Sequence, residues 1–428
     1  MYLACGSEGT NGFAPKADGG GFDTPDAAVD LPDGQSQTSP DGAVLKPTEI
    51  GSLSGTVFAP EGTIPISDAL VYLTKNAPAD IPAGVFCDSC VKLTPDEAFA
   101  FSAADGSVRV PVYAEGEFFL VVQKGQFRRV RRINVVKGVN TPNKGLLQLP
   151  GKTDDILGDT IPKMFVNTGT FDKVEHSLDK LGISYDKGSS CNDLFGLPGS
   201  PKCGDNDVSA ERIFNGKKDP SGVPFIDRYQ IVFAPCSGSV GSGGGDSCTS
   251  SPATSSDVKN NMRRWVKAGG KFYVTDWSYE MVRQIWPGYF TFQNATAKIG
   301  SGCSFGSVTD AAVWEDPGLA SWMTAIGENG AQLVGSYTGI TAVSPQQGED
   351  FQGNPKTITP KVWASGKTGS AKTTRTVTFP DRCGRVLFST YHTEGSGEST
   401  LLAQEKALLY VLLEVGVCVG PRADGIEK

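Results

Sequence analysis

The sequence predicts a two-domain fold that combines the all-β and α/β classes, with a small β-sandwich ahead of a doubly wound parallel sheet. The chain has 428 residues, which is long for one ordinary domain. Short strands separated by turn residues dominate residues 50–150, whereas apolar strands alternate with helical spacing over residues 155–420. Residues 1–49 contain few large apolar side chains and are expected to form a flexible tether.

The β-sandwich is predicted from short strands that stop at turn residues. We expect strands at residues 53–58, 69–73, 108–112 and 117–122, with a hairpin turn at Asp105-Gly106. Through the runs GTVFAPEG, ISDALVYL and EFFLVVQKGQF, this segment resembles a carboxypeptidase regulatory-like domain, which is a transthyretin-type sandwich. The resemblance implies a spacer or adhesion module without chemistry of its own.

The second domain is predicted from alternating strands and helices, a pattern typical of a parallel sheet covered on both faces. A loop insertion is expected at residues 344–370, which are rich in Gly, Pro, Gln and Lys. The predicted strands cover residues 162–167, 183–185, 228–234 and 271–276, and the predicted helices cover residues 171–182, 255–269, 319–326 and 401–414.

Two runs of this domain suggest a family. VKAGGKFYVTDW at 266–277 and GRVLFSTYHTE at 384–394 resemble the class I glutamine amidotransferase-like superfamily, including its trehalose-utilisation (ThuA-like) branch. The first run is similar to the glycine pair and strand that lead into the nucleophile elbow, and the second to the late strand that carries the catalytic histidine. The resemblance implies that His392 and Glu394 occupy the His and Glu positions of a Cys-His-Glu triad.

The expected nucleophile is missing from the elbow. A working amidotransferase has a thiol in a G-x-C-x-G turn, but here the strand runs into Thr275-Asp276-Trp277-Ser278-Tyr279. The sequence therefore favours a domain without catalytic residues. The alternative is a hydrolase or lyase acting on a carbohydrate or amide, in which His392, supported by Glu394, works with Asp276 or Ser278.

A ligand site is predicted at the edge of the sheet where the strands end. Five residues lie at or just after the carboxyl end of a predicted strand, where open α/β sheets bind ligands: Thr168, Cys236, Asp276, Trp277 and His392. A carboxylate, an indole and an imidazole would suit a sugar or another small polar ligand. In the alternative interpretation Asp276 caps the next helix, Trp277 packs, and His392 is held by Glu394.

Ten cysteines and two histidines favour disulfides over a metal site, and no cofactor is expected. Pairs that close short polar loops are typical of oxidising compartments. Cys303 is left without a partner in this scheme. The predicted pairs are Cys87 with Cys90, Cys191 with Cys203, Cys236 with Cys248, and Cys383 with Cys418.

The first residues suggest a lipid anchor. Leu3-Ala4-Cys5-Gly6 resembles the end of a bacterial lipobox, although only four residues precede Cys5 and a signal peptide needs about 15 or more. The resemblance implies a lipoprotein that is extracytoplasmic, at the outer membrane or cell surface, with the lipid on Cys5. A merely disordered N-terminus is the alternative.

Charge restricts the partners. A formal net charge of −8 disfavours generic nucleic-acid binding, which needs a basic face. The four arginines of FRRVRR at 127–132 either recognise phosphate or guard an edge strand. The sequence therefore predicts a non-catalytic binding or scaffold lipoprotein with a carbohydrate or an envelope protein as partner. A self-assembling structural protein of the envelope is a further alternative.

Overall fold

The computed structural model describes residues 47–89, 91–93, 97–169, 171–188, 191, 202–236, 251–303, 306–393, 400–413 and 419–420. The predicted tether up to residue 46, with Cys5, lies outside them. The described residues form several sheets and comparatively few helices. None of the helices within these ranges is long and apolar enough to cross a bilayer.

The first unit consists of two sheets that share a buried core. One sheet has the order β5–β1–β8 and the other the order β4–β2–β6–β7–β9. Val110, Leu120 and Phe127 are buried between them. The predicted small β-sandwich fits this arrangement. Its strands are β1 (Gly51–Thr56), β2 (Leu70–Thr74), β4 (Ala98–Phe101), β5 (Ser107–Val112), β6 (Gly116–Lys124), β7 (Phe127–Val135), β8 (Gly138–Asn140) and β9 (Asp159–Thr160), while the short strand β3 (Val91–Lys92) belongs to neither sheet.

The rest of the chain is organised around an eleven-stranded sheet. The strands that follow β9 are β10 (Met164–Val166), β11 (Asp186–Lys187), β12 (Ile231–Ala234), β13 (Lys271–Thr275), β14 (Phe290–Phe292), β15 (Val308–Trp314), β16 (Gln332–Ser336), β17 (Ile340–Val343), β18 (Gln346–Glu349), β19 (Pro355–Ile358), β20 (Lys361–Thr368), β21 (Ala371–Asp381), β22 (Gly384–Ser389) and β23 (Val419–Gly420). The helices are α1 (Val174–Lys180), α2 (Ala210–Phe214), α3 (Ser256–Lys267), α4 (Tyr279–Ile285), α5 (Pro317–Ala325) and α6 (Ala403–Leu413).

The large sheet is mixed. Its main order is β11–β10–β12–β13–β22–β21–β20–β15–β16, with β17 attached to β21 and β14 to β17. The pairs from β11 to β22 are parallel, whereas those from β22 onward are antiparallel. Parallel pairing therefore covers five adjacent strands, and the antiparallel half comes from the segment between α4 and β22.

Residues 344–370 do not form the loop insertion that was expected. The segment contains the hairpin β18–β19 and the strand β20. β20 pairs with both β15 and β21, so it belongs to the large sheet. Gly and Lys in this segment disfavoured the prediction of a strand. β20 nevertheless has an apolar centre at Val362, Trp363 and Ala364, and the last two of these residues are buried.

The helix α3 and the strand β13 that follows it are the elements that the sequence predicted best. Ser255 begins α3, and its hydroxyl accepts a hydrogen bond from the Asp257 amide at 3.2 Å. The helix buries the face that includes Trp265 and ends before Gly269, which has φ +117°. A Cβ on Gly269 would lie 1.8 Å from the carbonyl oxygen of Phe86, so glycine lets the first unit approach this corner.

The two units are joined covalently at that corner. Cys87 is bonded to Cys383, a residue 296 positions away. Lys271 Nζ also lies 2.9 Å from Asp88 Oδ2. The Trp322 indole donates to the Pro65 carbonyl at 2.7 Å, which ties α5 to the sandwich.

Four of the predicted cysteine assignments are wrong. Cys87 and Cys383 are in a disulfide, but with each other rather than with Cys90 and Cys418. The 86–87 segment packs against Gly269, and Gly384 packs against the neighbouring Gly270, so both cysteines meet at the turn between α3 and β13. Cys236 is a buried free thiol, not the partner of Cys248. Cys303 is in a disulfide and is not the unpaired thiol.

The Cys191–Cys203 disulfide is confirmed. Cys90, Cys248 and Cys418, the other members of the three pairs that are wrong, lie outside the described residues.

Candidate functional site

Three neighbouring strands bring a thiol, a carboxylate and an imidazole together. Cys236 follows β12, Asp276 follows β13, and His392 follows β22. These strands are adjacent and parallel, so their carboxyl ends lie at one edge of the sheet. One potential ligand atom from each residue lies within 4.8 Å of the other two. The predicted proximity of Asp276 and His392 is thus observed, with Cys236 beside them.

Asp276 is fully buried and has a left-handed backbone, with φ +42°. Non-glycine residues rarely adopt this conformation, and it directs the carboxylate to the site rather than along the chain. Asp276 Oδ2 accepts a hydrogen bond from the Tyr337 amide at 3.2 Å, while no described residue forms a hydrogen bond with Oδ1. Burial raises the pKa of Asp276 to about 6, although His392 acts in the opposite direction.

Asp276 does not cap the helix that follows it, which was the alternative interpretation. Asp276 starts a single 3-10 turn at 276–278, which leads into α4, and among the described residues no side chain caps α4. The carboxylate of Asp276 instead faces His392 and the backbone of Tyr337.

His392 is the most accessible member, with a side chain about 15% exposed. Its Nε2 lies 3.2 Å from Asp276 Oδ2, but the approach is not aligned as a hydrogen bond. Its ring lies 5.2 Å from the ring of Tyr337. Burial lowers the pKa of His392, but the carboxylates of Asp276 and Asp172 more than offset this, and the pKa is raised.

Glu394, which was expected to support His392, lies outside the described residues. Within them the imidazole is positioned through its own backbone, because its carbonyl accepts a hydrogen bond from Gln404 Nε2 at 2.6 Å.

Cys236 is only 1% exposed. Its backbone amide donates to Thr275 Oγ1 at 2.8 Å, which fixes the turn at the end of β12 against the end of β13. Its side chain packs with Trp277. Burial raises the pKa of the Cys236 thiol far above its usual range, and the negative charge of Asp276 acts in the same direction. A thiol in this environment stays protonated.

Asp172 holds the strand ends together and was missed in the sequence. It is fully buried and accepts hydrogen bonds from Thr275 Oγ1 at 2.6 Å and from the Thr393 amide at 2.8 Å. It therefore links the residue before Asp276 to the residue after His392. In the sequence Asp172 is an unremarkable acidic residue before α1, and only its position after β10 could have marked it.

The remaining predicted residues have separate positions. Trp277 is nearly buried, and its ring contacts those of Phe171 at 5.5 Å and Tyr337 at 6.0 Å in edge-to-face geometry, so its role is packing over the cluster. Ser278 is buried and donates its hydroxyl to the Pro235 carbonyl at 2.8 Å. Thr168 is exposed beyond the end of β10.

The cluster also has the chemistry of a metal-ligand set. Thiolate, imidazole and carboxylate are the ligands that zinc uses, and three of them with one open position are typical of catalytic zinc. Zinc bonds of 2.0–2.3 Å place donor atoms within roughly 4 Å of one another, so these side chains would have to move closer to share one ion. Proton loss from Cys236 would also be needed.

No protein-family model and no curated protein matches this chain. Among solved structures, a cytoplasmic protein from Salmonella typhimurium is 9% identical with a TM-score of 0.33, over 59% of this chain and 98% of that one. PurLQS from Thermotoga maritima is 11% identical with a TM-score of 0.32, over 59% and 97%. A β-galactosidase from Rahnella sp. R3 is 12% identical with a TM-score of 0.31, over 60% and 32%. Similarity at this level carries no argument about function.

Proposed function

We propose that this chain is a non-catalytic binding or scaffold protein of the cell envelope, in which Cys236, Asp276 and His392 form a degenerate amidotransferase-like centre. The observation that carries the proposal is the environment of Cys236, which is buried beside a buried carboxylate. The cluster then stabilises the ends of β12, β13 and β22, and a ligand or partner contacts the rim around it.

Thiol catalysis depends on the thiolate, which a neighbouring imidazolium normally stabilises. Here the imidazole of His392 lies against Asp276, so the positive charge that could activate the sulfur is already opposed by a carboxylate. Burial raises the pKa of Cys236 further. Ser278 is equally unsuited as a nucleophile, because its hydroxyl donates to the Pro235 carbonyl.

We assign the parallel half of the large sheet to a doubly wound, amidotransferase-like fold. The run at 266–277 spans the end of α3, the glycine pair and β13, and the run at 384–394 begins with β22. These two strands are neighbours, and the residues after them meet at the site. That placement supports the assignment.

We also propose an extracytoplasmic location, with a lipid on Cys5 and the two units held away from the membrane by the tether. Support comes from the disulfides Cys87–Cys383 and Cys191–Cys203, since such bonds persist mainly in oxidising compartments. Mass spectrometry of the mature N-terminus tests the anchor. An uncleaved terminus without lipid would exclude it.

A turnover assay tests the non-catalytic assignment. Purified protein and its His392→Ala variant are incubated with panels of glycoside and amide substrates. We expect no hydrolysis by either protein, with the same far-ultraviolet circular dichroism for both. Hydrolysis that the wild type performs and His392→Ala does not would overturn the proposal.

The second candidate is a hydrolase or lyase, and one observation favours it: three chemically reactive groups converge within 4.8 Å. In that case His392 would act as base with Asp276 orienting it, and the attacking group would be water or Cys236. The same assay separates the two candidates, because only this one predicts turnover that depends on His392.

A further inference from the structure

The first unit contains a cavity that the proposed function does not use. It has a volume of about 430 Å³ and lies between the five-stranded sheet and the segment that follows β2. Val71 and Leu73 point into the core of the sandwich, whereas Tyr72 and Arg128 line the cavity on the opposite face of the sheet. Small-molecule sites commonly have volumes of roughly 300 to 1,000 Å³.

Arg128 lines this cavity as a buried charge that is only partly compensated: burial lowers its pKa, and the charge of Asp80 in the same lining acts in the opposite direction. Arg128 is 8% exposed, and its Nη1 donates a hydrogen bond to the Ala79 carbonyl at 2.7 Å. The Nε atom has no hydrogen-bond partner, and no described carboxylate lies within 4 Å of the guanidinium. A guanidinium stays protonated, and burying it unpaired is costly unless a bound anion compensates.

The neighbouring arginines of the same strand are all occupied. Arg129 and Arg131 contact the carboxylate of Asp159 at 3.0 Å and 2.8 Å. Arg132 is exposed and lies 5.1 Å from the centre of the Phe119 ring. Arg128 is therefore the member of the FRRVRR run that is available to a ligand, and the edge-guarding interpretation fits the others better.

Gln126 adds a second orphaned polar group to the same cavity. It is 5% exposed, and its Nε2 donates to Asp88 Oδ1 at 2.6 Å. Its Oε1 accepts no hydrogen bond. The cavity wall thus contains a guanidinium edge and an amide oxygen that lack partners. Both atoms are covered in this structure, so a ligand contacts them only when the side chains turn toward the cavity.

We infer that this cavity binds a small organic hydroxy acid, whose carboxylate pairs with Arg128 and whose hydroxyl donates to Gln126 Oε1. The guanidinium edge carrying Nε matches the two oxygens of a carboxylate. Asp80, Asp88 and Glu97 also line the cavity, and their charges disfavour a dianion such as phosphate. The inference goes beyond the proposed function, which concerns the other unit.

The cavity wall is held in place from outside the sandwich. The Val85 amide donates to the Asp227 carbonyl at 2.8 Å, Cys87 is bonded to Cys383, and Asp88 is paired with Lys271. These contacts fix the segment that faces Arg128. A preorganised wall reduces the ordering cost of binding.

Calorimetric titration of the full chain with D-glucuronate tests the inference, and D-glucose serves as the uncharged probe of the same shape. We expect D-glucuronate to bind and D-glucose not to bind. Arg128→Gln should weaken D-glucuronate binding roughly tenfold to a hundredfold, because it removes a charged hydrogen-bond donor. Arg132→Gln, from the same strand, should leave binding unchanged.

A second hydroxy acid, L-lactate, and inorganic phosphate complete the experiment. The inference is overturned if neither hydroxy acid binds, if phosphate binds while they do not, or if Arg128→Gln binds as well as the wild type. If Arg128→Gln fails to fold, Arg128→Lys keeps the charge but loses the planar donor edge. Arg128→Lys should then bind D-glucuronate more weakly than the wild type, and equal binding would contradict the inference.

Discussion

His392 Nε2 lies 3.2 Å from Asp276 Oδ2, and the two residues follow neighbouring parallel strands. Asp276 is fully buried, and no described residue forms a hydrogen bond with its second oxygen. The carboxylate therefore faces the imidazole and the Tyr337 amide, which donates to its Oδ2, and it does not cap a helix. The charge of Asp276 raises the pKa of His392, which favours the protonated imidazole. It also adds to the effect of burial in raising the pKa of Cys236, which favours the neutral thiol.

The pair should make the stability of the protein depend on pH. Burial raises the pKa of Asp276 from 3.8 to about 6, and the pKa of His392 is raised above 6.5. Both folded-state values exceed the unfolded ones, so the folded protein binds protons that the unfolded chain releases. The contribution of the pair to the free energy of unfolding is present at low pH. It falls as pH rises from about 4 to 6 for Asp276, and then above 6.5 for His392.

Urea unfolding of the wild type and of the Asp276→Asn/His392→Gln variant at pH 4.5, 6 and 7.5 checks this dependence. The difference in unfolding free energy between the two proteins should change by on the order of 1 kcal/mol over the range, in favour of the variant as pH rises. A difference that is constant across the three pH values would show that the pair is not coupled to folding.

Asp172 should be the residue on which the geometry of the site depends most. Asp172→Ala leaves the Thr275 hydroxyl and the Thr393 amide without their shared acceptor in a buried place. We expect a loss of about 2 to 3 kcal/mol in the free energy of unfolding. Asp155→Ala, which removes an exposed carboxylate, is the control and should change stability little. Equal effects of the two substitutions would contradict the anchoring role of Asp172.

Gly269 should tolerate no side chain. Gly269→Ala would place a Cβ 1.8 Å from the Phe86 carbonyl oxygen at φ +117°, so the corner where the two units meet must shift. We expect a loss of at least about 2 kcal/mol in thermal or chemical unfolding. Gly327→Ala is matched in having positive φ, but nothing lies within 4 Å of its Cβ. A smaller effect at position 269 than at position 327 would refute the close approach.

The two described disulfides should differ in their contribution to stability. The Cys87–Cys383 bond closes a span of 296 residues and the Cys191–Cys203 bond a span of 12. Loop-closure entropy predicts about 6 kcal/mol for the first and about 3 kcal/mol for the second. Unfolding of Cys87→Ser/Cys383→Ser and of Cys191→Ser/Cys203→Ser measures both. A larger loss for the shorter loop would show that chain entropy does not dominate here.

Local patterns in the sequence predicted α3, β13 and β22 well, because hydrophobic spacing, a serine cap and a glycine pair all indicate the same elements. They also predicted that Asp276 and His392 would share one edge of the sheet, since this follows from strand direction alone. The predicted helix at 401–414 corresponds to α6 at Ala403–Leu413.

Contacts between distant segments could not be predicted in the same way. Cys87 has Cys90 close by in sequence, but its partner is set by the docking of one unit on the other. Cys236 belongs to a short-spaced cysteine pair, yet its backbone turns the thiol into the sheet edge. The antiparallel half of the sheet was missed because polar residues and a glycine follow the apolar centre of β20 (KVWASGKT), and its pairing with β15 is non-local.

The rate at which iodoacetamide alkylates Cys236 shows directly whether this thiol is inert. Peptide mass spectrometry follows the reaction of the native protein between pH 6 and 9, with the urea-unfolded protein as the reactive control. We expect no detectable alkylation of native Cys236 and no inflection in that range, because the thiol is buried and un-ionised. Rapid alkylation with an inflection near pH 7 that His392→Ala abolishes would contradict this expectation.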